Sequence, residues 1–449
     1  MSNAKFTSGS IYKHLMVMTG SASVGLLALF LVDFVDMFYL SLLGEVELAA
    51  AIGFAGSVLF FTTSISIGFA IATGALASRA IGADDTLQAK KYVAHAAVTT
   101  FAISVPITVV MMWFAGDILS MIGAQGRAHD LALSYLYITL PSFPLMALGM
   151  GAGGVLRALG DAKGAMWLTL WGGIVNFILD PIFIFLLDMG VQGAALATSA
   201  ARVAMMVYGI RKVVVENGLI TRFHWQEYKD DFRDILNIAF PAVLTNISTP
   251  IAMAYITAAM AKFGDDAVAG NAIVSRIVPV AFAGLFAVSG VVGPIAGQNW
   301  GAGNFDRVRR VLVESSWLVA IYVALVSLIL LLANGLLVEL FSATGEAAHL
   351  VYLFTWGISL TYIFHGLTFN TNALFNNLGK PQWATAFNLG KATLGTIPFA
   401  WLGSELWGAP GVLIGQGVGA VLTGILGYWF ANRLINQLSA EPTKLVVEH

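Results

Sequence analysis

Residues 15–43 read LMVMTGSASVGLLALFLVDFVDMFYLSLL, and Asp33 and Asp36 are the only charged side chains among them. A bilayer hydrocarbon core about 30 Å thick is crossed by a helix of about 20 mostly apolar residues. This stretch is long enough. It is also too long for the apolar region of a secretory leader and has no small-residue cleavage site after it, so it reads as a retained spanning helix. The rest of the chain agrees. Of 449 residues, 58% are hydrophobic and 11% charged, against about 25% charged in soluble chains. Cysteine is absent and the formal net charge is −2. A disulfide framework, a thiol nucleophile and a thiolate metal site are therefore excluded, and a nucleic-acid partner is not expected.

Outward from that stretch, eleven further apolar runs of spanning length follow, at roughly 48–79, 92–115, 130–156, 164–187, 191–215, 234–262, 267–299, 310–335, 347–376, 382–404 and 408–436. Of the 23 lysines and arginines, eighteen fall in the two tails and one alternate set of loops, including Lys90, Lys91, Arg157, Arg211, Lys212, Arg307, Arg309 and Arg310. The other set holds only Arg127 and Lys262, beside a majority of acids such as Asp130, Asp188, Asp265 and Asp266. The positive-inside rule then places both termini in the cytoplasm of a multi-pass protein of the cell's inner (plasma) membrane. A miscounted span would invert the alternation downstream, and no inversion occurs. The fold class is thus an all-α membrane protein of twelve transmembrane helices.

The longest polar break, Val215 to Arg233, divides the spans six and six. It suggests an N-terminal bundle over 1–216, a cytoplasmic linker over 217–233 and a C-terminal bundle over 234–449. The halves repeat at a shift of about 220 residues. Ala77-Ser-Arg-Ala-Ile-Gly-Ala-Asp returns as Ala296-Gly-Gln-Asn-Trp-Gly-Ala-Gly, Ala158-Leu-Gly-Asp as Asn377-Leu-Gly-Lys, and Gly190-Val-Gln-Gly-Ala as Gly408-Ala-Pro-Gly-Val. Six is even, so both copies enter the membrane from one side, related by a pseudo-two-fold axis along its normal. Two like bundles are what an alternating-access carrier needs, and a monomer suffices.

An ionisable group inside a span is costly and marks function by default. Here these are Asp33, Asp36, Asp180, Arg202, Arg276, His365 and Lys391. At 1.5 Å per residue, Asp36 and Asp180 lie about 12 Å below one surface, Thr198 about 9 Å and Tyr135 about 8 Å. The first, fourth, fifth and sixth spans can therefore meet at one level. Asn176 and Asp180 share a helix face, as do Thr198 and Arg202. Asp36, Asn176, Asp180 and Thr198 offer the hard oxygen ligands that suit a proton or a sodium ion. Other readings stand beside this one: Asp36 paired with Arg202 for structure, Asn176 capping a bend before Pro181, Tyr135 as packing, and Asp33 as a second titrating or a cavity-lining group. In the second half the matching positions are Gly395, Phe399 and Gln416, so only the first half keeps two acids.

These residues carry a resemblance. Ala77-Ser-Arg-Ala-Ile-Gly-Ala-Asp, Leu156-Arg-Ala-Leu-Gly-Asp-Ala-Lys, Asn176-Phe-Ile-Leu-Asp-Pro-Ile-Phe-Ile, Gly190-Val-Gln-Gly-Ala-Ala-Leu-Ala-Thr and Gly293-Pro-Ile-Ala-Gly-Gln-Asn-Trp-Gly-Ala-Gly-Asn together resemble the multidrug and toxic compound extrusion (MATE) family, in its prokaryotic branch similar to the DNA-damage-inducible protein F. The resemblance implies a V-shaped pair of six-helix bundles exporting cationic or amphiphilic drugs in exchange for protons or sodium. It puts an essential acid at Asp36 and the coupling site at Asn176, Asp180 and Thr198, with Tyr135 nearby. The chain departs from the pattern in three places. Ser21 stands where the first span often has a proline. Thr249 and His365 stand near the places of a second branch's acids. Arg202 on the face of Thr198 is not expected from the family.

The expected function is a cation-coupled antiporter, proton before sodium, with no cofactor beyond that ion and with small amphiphilic or cationic substrates in the lipid bilayer. A carboxylate withdrawn from water is relieved by taking up a proton, and that exchange can drive the first span to move. The alternatives are a lipid-linked precursor flippase of the same superfamily, which would line its cavity with bases, and a twelve-helix nutrient facilitator. No metal-ligand spacing, phosphate loop or nucleophile–base pair points to an enzyme.

Overall fold

The computed structural model describes residues 4–41, 46–223 and 225–440, and of residues 33, 37, 38, 40, 41, 46 and 49 the helical backbone alone. Gly44, Glu45 and His224 lie outside the described residues, as does the side chain of Asp33. The spans are α1 (Ile11–Ser41), α2 (Val46–Gly82), α3 (Thr86–Met121), α4 (Gly126–Ala158), α5 (Ala162–Leu186), α6 (Gly190–Glu216), α7 (Trp225–Ala261), α8 (265–301), α9 (Phe305–Leu332) and α10 (345–377). A last helical run, Pro381–Ala440, is 60 residues long, about 90 Å and three times a hydrocarbon core. Trp407 and Gly408 break it with non-helical backbone, giving α11 (381–406) and α12 (409–440). The twelve spans read from the sequence are all present. A short helix, Asn334–Leu340, precedes α10.

The repeated motifs turn out to be turns. Gly160 and Gly379 both take left-handed backbone, with φ of 69° and 76°, and so end α4 and α10 as only glycine does cheaply. Asp161 then caps α5 by accepting from the Gly164 amide at 2.9 Å. The broken helices repeat as well. α4 passes through a tight turn at Leu140–Ser142 and α10 through one at Ile358–Thr361, where its two parts bend by 51°. α8 bends by 48° around Phe282, just after Pro279, which supplies no amide hydrogen to the ladder. Tyr322 of α9 repairs the gap: its hydroxyl donates to Ala281 O at 2.8 Å and accepts from Gly284 N at 3.1 Å.

The chain forms two compact units, one containing residues 24–243 and the other containing 6–23 and the chain from Leu244 on. α1 thus gives its first part to the second unit and the remainder to the first, and α7 does the reverse. The stretch read as a linker, 217–233, is accordingly helical from Trp225. Its polarity has a structural cause. Asp231, 6% exposed, faces fully buried His95 of α3 across 2.5 Å and accepts from Gln88 at 3.1 Å. Tyr92 donates to Asp234 at 3.1 Å. These polar groups hold the start of α7 on α3, and Gly68 of α2 leaves space for Ala239 and Val243.

In the second unit, the repeated Gln298-Asn299 pair clamps the segment before α1. Phe6 N donates to Gln298 Oε1 at 2.9 Å, and Phe6 O accepts from Asn299 Nδ2 at 3.1 Å and from Arg307 Nη2 at 2.7 Å. Arg307 also reaches Gly9 O at 3.0 Å.

Candidate functional site: a buried acid pair

α5 carries Asn176 and Asp180 one turn apart, and both are buried, at 5% and 0% exposure. Pro181 follows, and the helix then widens into a π turn over Ile182–Leu186. α6 lies directly against that turn. A side chain at Gly193 would place its Cβ 2.6 Å from the Phe183 carbonyl carbon, so glycine is what permits the contact. α1 meets α5 less tightly: a Cβ added at Gly25 would lie 3.5 Å from Thr169 Cβ, an ordinary contact.

The site joins α1 and α5 through side chains. Asn176 Nδ2 donates to Asp36 Oδ1 at 3.0 Å and to Asp180 Oδ2 at 2.8 Å. One amide therefore joins acids from two helices, and both of its hydrogens are used. The shared amide holds the two carboxyl groups beside each other. Asp180 Oδ1 is buried with no hydrogen-bond partner. Two carboxylates this close cannot comfortably both be charged, and one shared proton removes the repulsion.

Thr198 belongs to an adjoining pair. Its hydroxyl meets the Tyr135 hydroxyl at 3.3 Å, and Tyr135 lies within electrostatic reach of Asp36, Asp180 and Arg202. The structure thus divides the expected four into a bonded trio, Asp36–Asn176–Asp180, and a neighbouring hydroxyl pair. Asn176 bonds to acids and is no helix cap. Arg202 is not the partner of Asp36. Its Nη1 donates to Thr139 O at 3.1 Å and to Ser142 Oγ at 3.0 Å. The cause is the tight turn in α4: the Phe143 amide bonds to Leu140 O, so Thr139 O is left for a side chain to satisfy. Arg202 plugs a broken helix much as Tyr322 does. Pro141 and Pro144 were the available sequence signal for that break.

His365 belongs to the second unit. Lys391 Nζ lies 2.7 Å from His365 Nδ1 and 5.4 Å from the centroid of Phe369. The sequence reading offered His365 as a possible accessory to the coupling residues, and left Lys391 without a role.

Twelve spanning helices in two like units, with buried acids bridged across helices in one of them, define a multi-pass membrane carrier. The chain belongs to the MatE family, whose model matches residues 22–182 and 241–402, two segments displaced by about 220 residues as the internal repeat is. It is therefore a transporter and not an enzyme. It is similar to a FAD transporter of Shewanella oneidensis, 26% identical over 423 residues and 93% of each chain. It is also similar to the multidrug export protein MepA of Staphylococcus haemolyticus, 23% identical over 98% of each. Among solved structures, a mutant of the Vibrio cholerae MATE transporter VcmN matches with a TM-score of 0.90 and 27% identity, over 97% of this chain and 99% of that one.

Proposed function

We propose that this protein exports small cationic or amphiphilic compounds, drugs among them, from the cell across its plasma membrane in exchange for protons, with both termini in the cytoplasm. One observation carries the coupling: a single amide holds two acids from α1 and α5 while one buried carboxylate oxygen goes unpaired. A proton taken up between the acids supplies the missing donor and ties α1 to α5 directly; its loss leaves α1 held through Asn176 alone. The ion biases the carrier only by its differential affinity for the two states. Sodium fits less well. The Asn176 nitrogen, a donor, faces the acids, and the Thr198 hydroxyl is engaged with Tyr135, so a hard cation would find few free oxygens. The family's multidrug exporters, such as the MepA relative, support the cargo class. A second cargo, an acidic flavin nucleotide like the FAD named for the Shewanella relative, is favoured by the Lys391–His365 pair.

The test is ethidium efflux from proteoliposomes under a pH gradient or a sodium gradient, applied separately, for the wild-type protein and Asp36→Asn. The expected result is efflux driven by the pH gradient alone and abolished in the variant. Efflux by Asp36→Asn at the wild-type rate removes Asp36 from the mechanism, and efflux driven only by sodium replaces the coupling ion.

A further inference from the structure

α1 is held unevenly along its length. Its first turns are packed into the second unit by Ile11, Leu15 and Met18, which share one face and are buried. Beyond Met18, only Gly25 is buried among the described residues of the helix, and Val24, Leu27, Leu31 and Phe34 are exposed. This looser arm belongs to the first unit and carries Asp36. The start of α1, by contrast, is clamped. Arg307 donates to three backbone carbonyls of the preceding segment, Phe6 O, Ser8 O and Gly9 O, at 2.7, 3.1 and 3.0 Å, and its Nε donates to Asn299 Oδ1 at 2.8 Å. The joint from clamp to helix is stiff. Gly9 turns the chain with a φ of 70°, Ser10 Oγ accepts from Lys13 N at 3.3 Å, and His14 Nε2 donates back to Ser8 O at 2.8 Å. A basic residue kept for topology alone needs no fixed partner. Arg310 in the same turn has only an exposed pair with Glu314, whereas Arg307 is built into the fold.

We propose that Arg307 is a positioning residue for transport: with Gln298 and Asn299 it pins the start of α1 to α8 and α9, so that the shift of α1 on proton exchange at Asp36 is passed into the second unit. The proposal rests on the proton-coupled reading and adds the route by which the proton acts. Coupling needs a physical element that the ion biases at one place and that acts at another. α1 is such an element, because its chain runs through both units. Were its start free to slide, a displacement at Asp36 would be lost there. Pinned, it draws on the end of α8, which is already bent around Phe282 and takes up the movement at that bend. The titratable groups about Asp36 are Asp180, Tyr135 and Arg202, all in the first unit. Those about the clamp are His14, with Arg310 and Glu314 beside Arg307.

The chain has no cysteine, so one introduced cysteine carries an environment-sensitive fluorophore without competition. Phe34→Cys, two residues from Asp36, reports on the first unit, and Val280→Cys, exposed beside the bend of α8, reports on the second. The purified full-length protein in detergent is acidified and each probe is followed. In the otherwise wild-type protein both probes are expected to respond, and with Asp36→Asn, which leaves the histidine of the clamp in place, neither does. With Arg307→Met the Phe34 probe responds and the Val280 probe falls silent. Arg307→Lys, which keeps one donor group for the carbonyls, restores part of that response, and Arg310→Ala keeps both. Phe6→Ala removes the buried ring of the clamped segment and leaves both bundles unaltered, so it reads the same loss should Arg307→Met fail to fold. A Val280 response of full size in both Arg307→Met and Phe6→Ala overturns the proposal. So does an otherwise wild-type protein in which only the Phe34 probe responds, or a loss of both probes together in the two clamp variants, which marks a purely structural role. Silence of both probes without any further substitution sinks the proton reading itself, a pattern that none of the other failures gives.

Discussion

Replacing Asn176 by leucine removes the one donor shared by the two acids, and the consequence is unequal for them. Asp36 is only half-buried. Asp180 is fully buried, with one oxygen already unpaired, so its other oxygen loses the bond of 2.8 Å with nothing to replace it. A hydrogen bond to a charged group contributes about 1.5–3 kcal/mol, and stranding the buried partner adds its desolvation. A loss of about 3 kcal/mol, on the scale of a domain of 150–250 residues, lowers the midpoint of thermal unfolding by about 6–12 °C. Replacing both members by apolar groups removes the stranded charge, and such a change can be nearly neutral. Asn176→Leu should therefore unfold well below the wild-type temperature, and Asn176→Leu/Asp180→Leu should recover most of the difference. Fluorescence-detected size-exclusion after a heating series measures both. A double variant no more stable than the single one, or a single variant matching the wild type, refutes the argument that the amide exists to satisfy a buried acid.

Two other contacts give sharper numbers than the site itself. Asp231→Ala strands His95 and Gln88 in the packed start of α7 and is expected to cost about 2–4 kcal/mol, whereas Glu227→Ala breaks the half-exposed Lys91–Glu227 pair of 2.9 Å and should cost under about 1 kcal/mol; equal thermal shifts for the two would show that the His95–Asp231 pair does not anchor the helix. Gly193→Val forces Cβ into the Phe183 backbone and is expected to cost about 1–3 kcal/mol and to impair ethidium efflux by moving α6 off the π turn beside Asp180. Gly190→Ala, where no atom lies within 4 Å, meets only the strain of positive φ, about 1 kcal/mol, and should transport normally.

Hydropathy and loop charge were sufficient for twelve spans because each is an average over many residues. What they could not register are single-residue breaks. The run 130–156 is one apolar stretch by composition, yet the structure tightens it into a single turn at Leu140–Ser142, and that turn is what Arg202 serves. The polar start of α7 looked like a linker for a related reason: Asp231 and Asp234 are polar because they bond to α3, not because they face solvent on every side. The repeat was legible through its glycines, since left-handed turns at Gly160 and Gly379 tolerate little else. At the site, the four-residue spacing of Asn176 and Asp180 declared a shared face, and depth brought Asp36 level with them. No spacing rule could tell that Thr198 turns to Tyr135, because the choice depends on which helix lies alongside.

The two halves share turns, breaks and close glycine contacts, and differ in the charge they bury. In the first unit the interior positions of α1 and α5 hold acids bridged by an amide; in the second, α10 and α11 hold an ammonium against an imidazole. Duplication explains the common frame, because backbone geometry depends on residues such as Gly193 and Gly411, each with a neighbouring helix backbone against it. It does not explain retention of an uncompensated cation in apolar surroundings, where substitution by methionine would spare the desolvation cost. If the bond to His365 fastens α10 to α11, Lys391→Met should lower the midpoint of thermal unfolding. If burying the ammonium costs more than that bond returns, the methionine variant should be the more stable one, as when buried charges are replaced by well-packed apolar groups. A heating series followed by fluorescence-detected size-exclusion decides between them, and an unchanged midpoint refutes both.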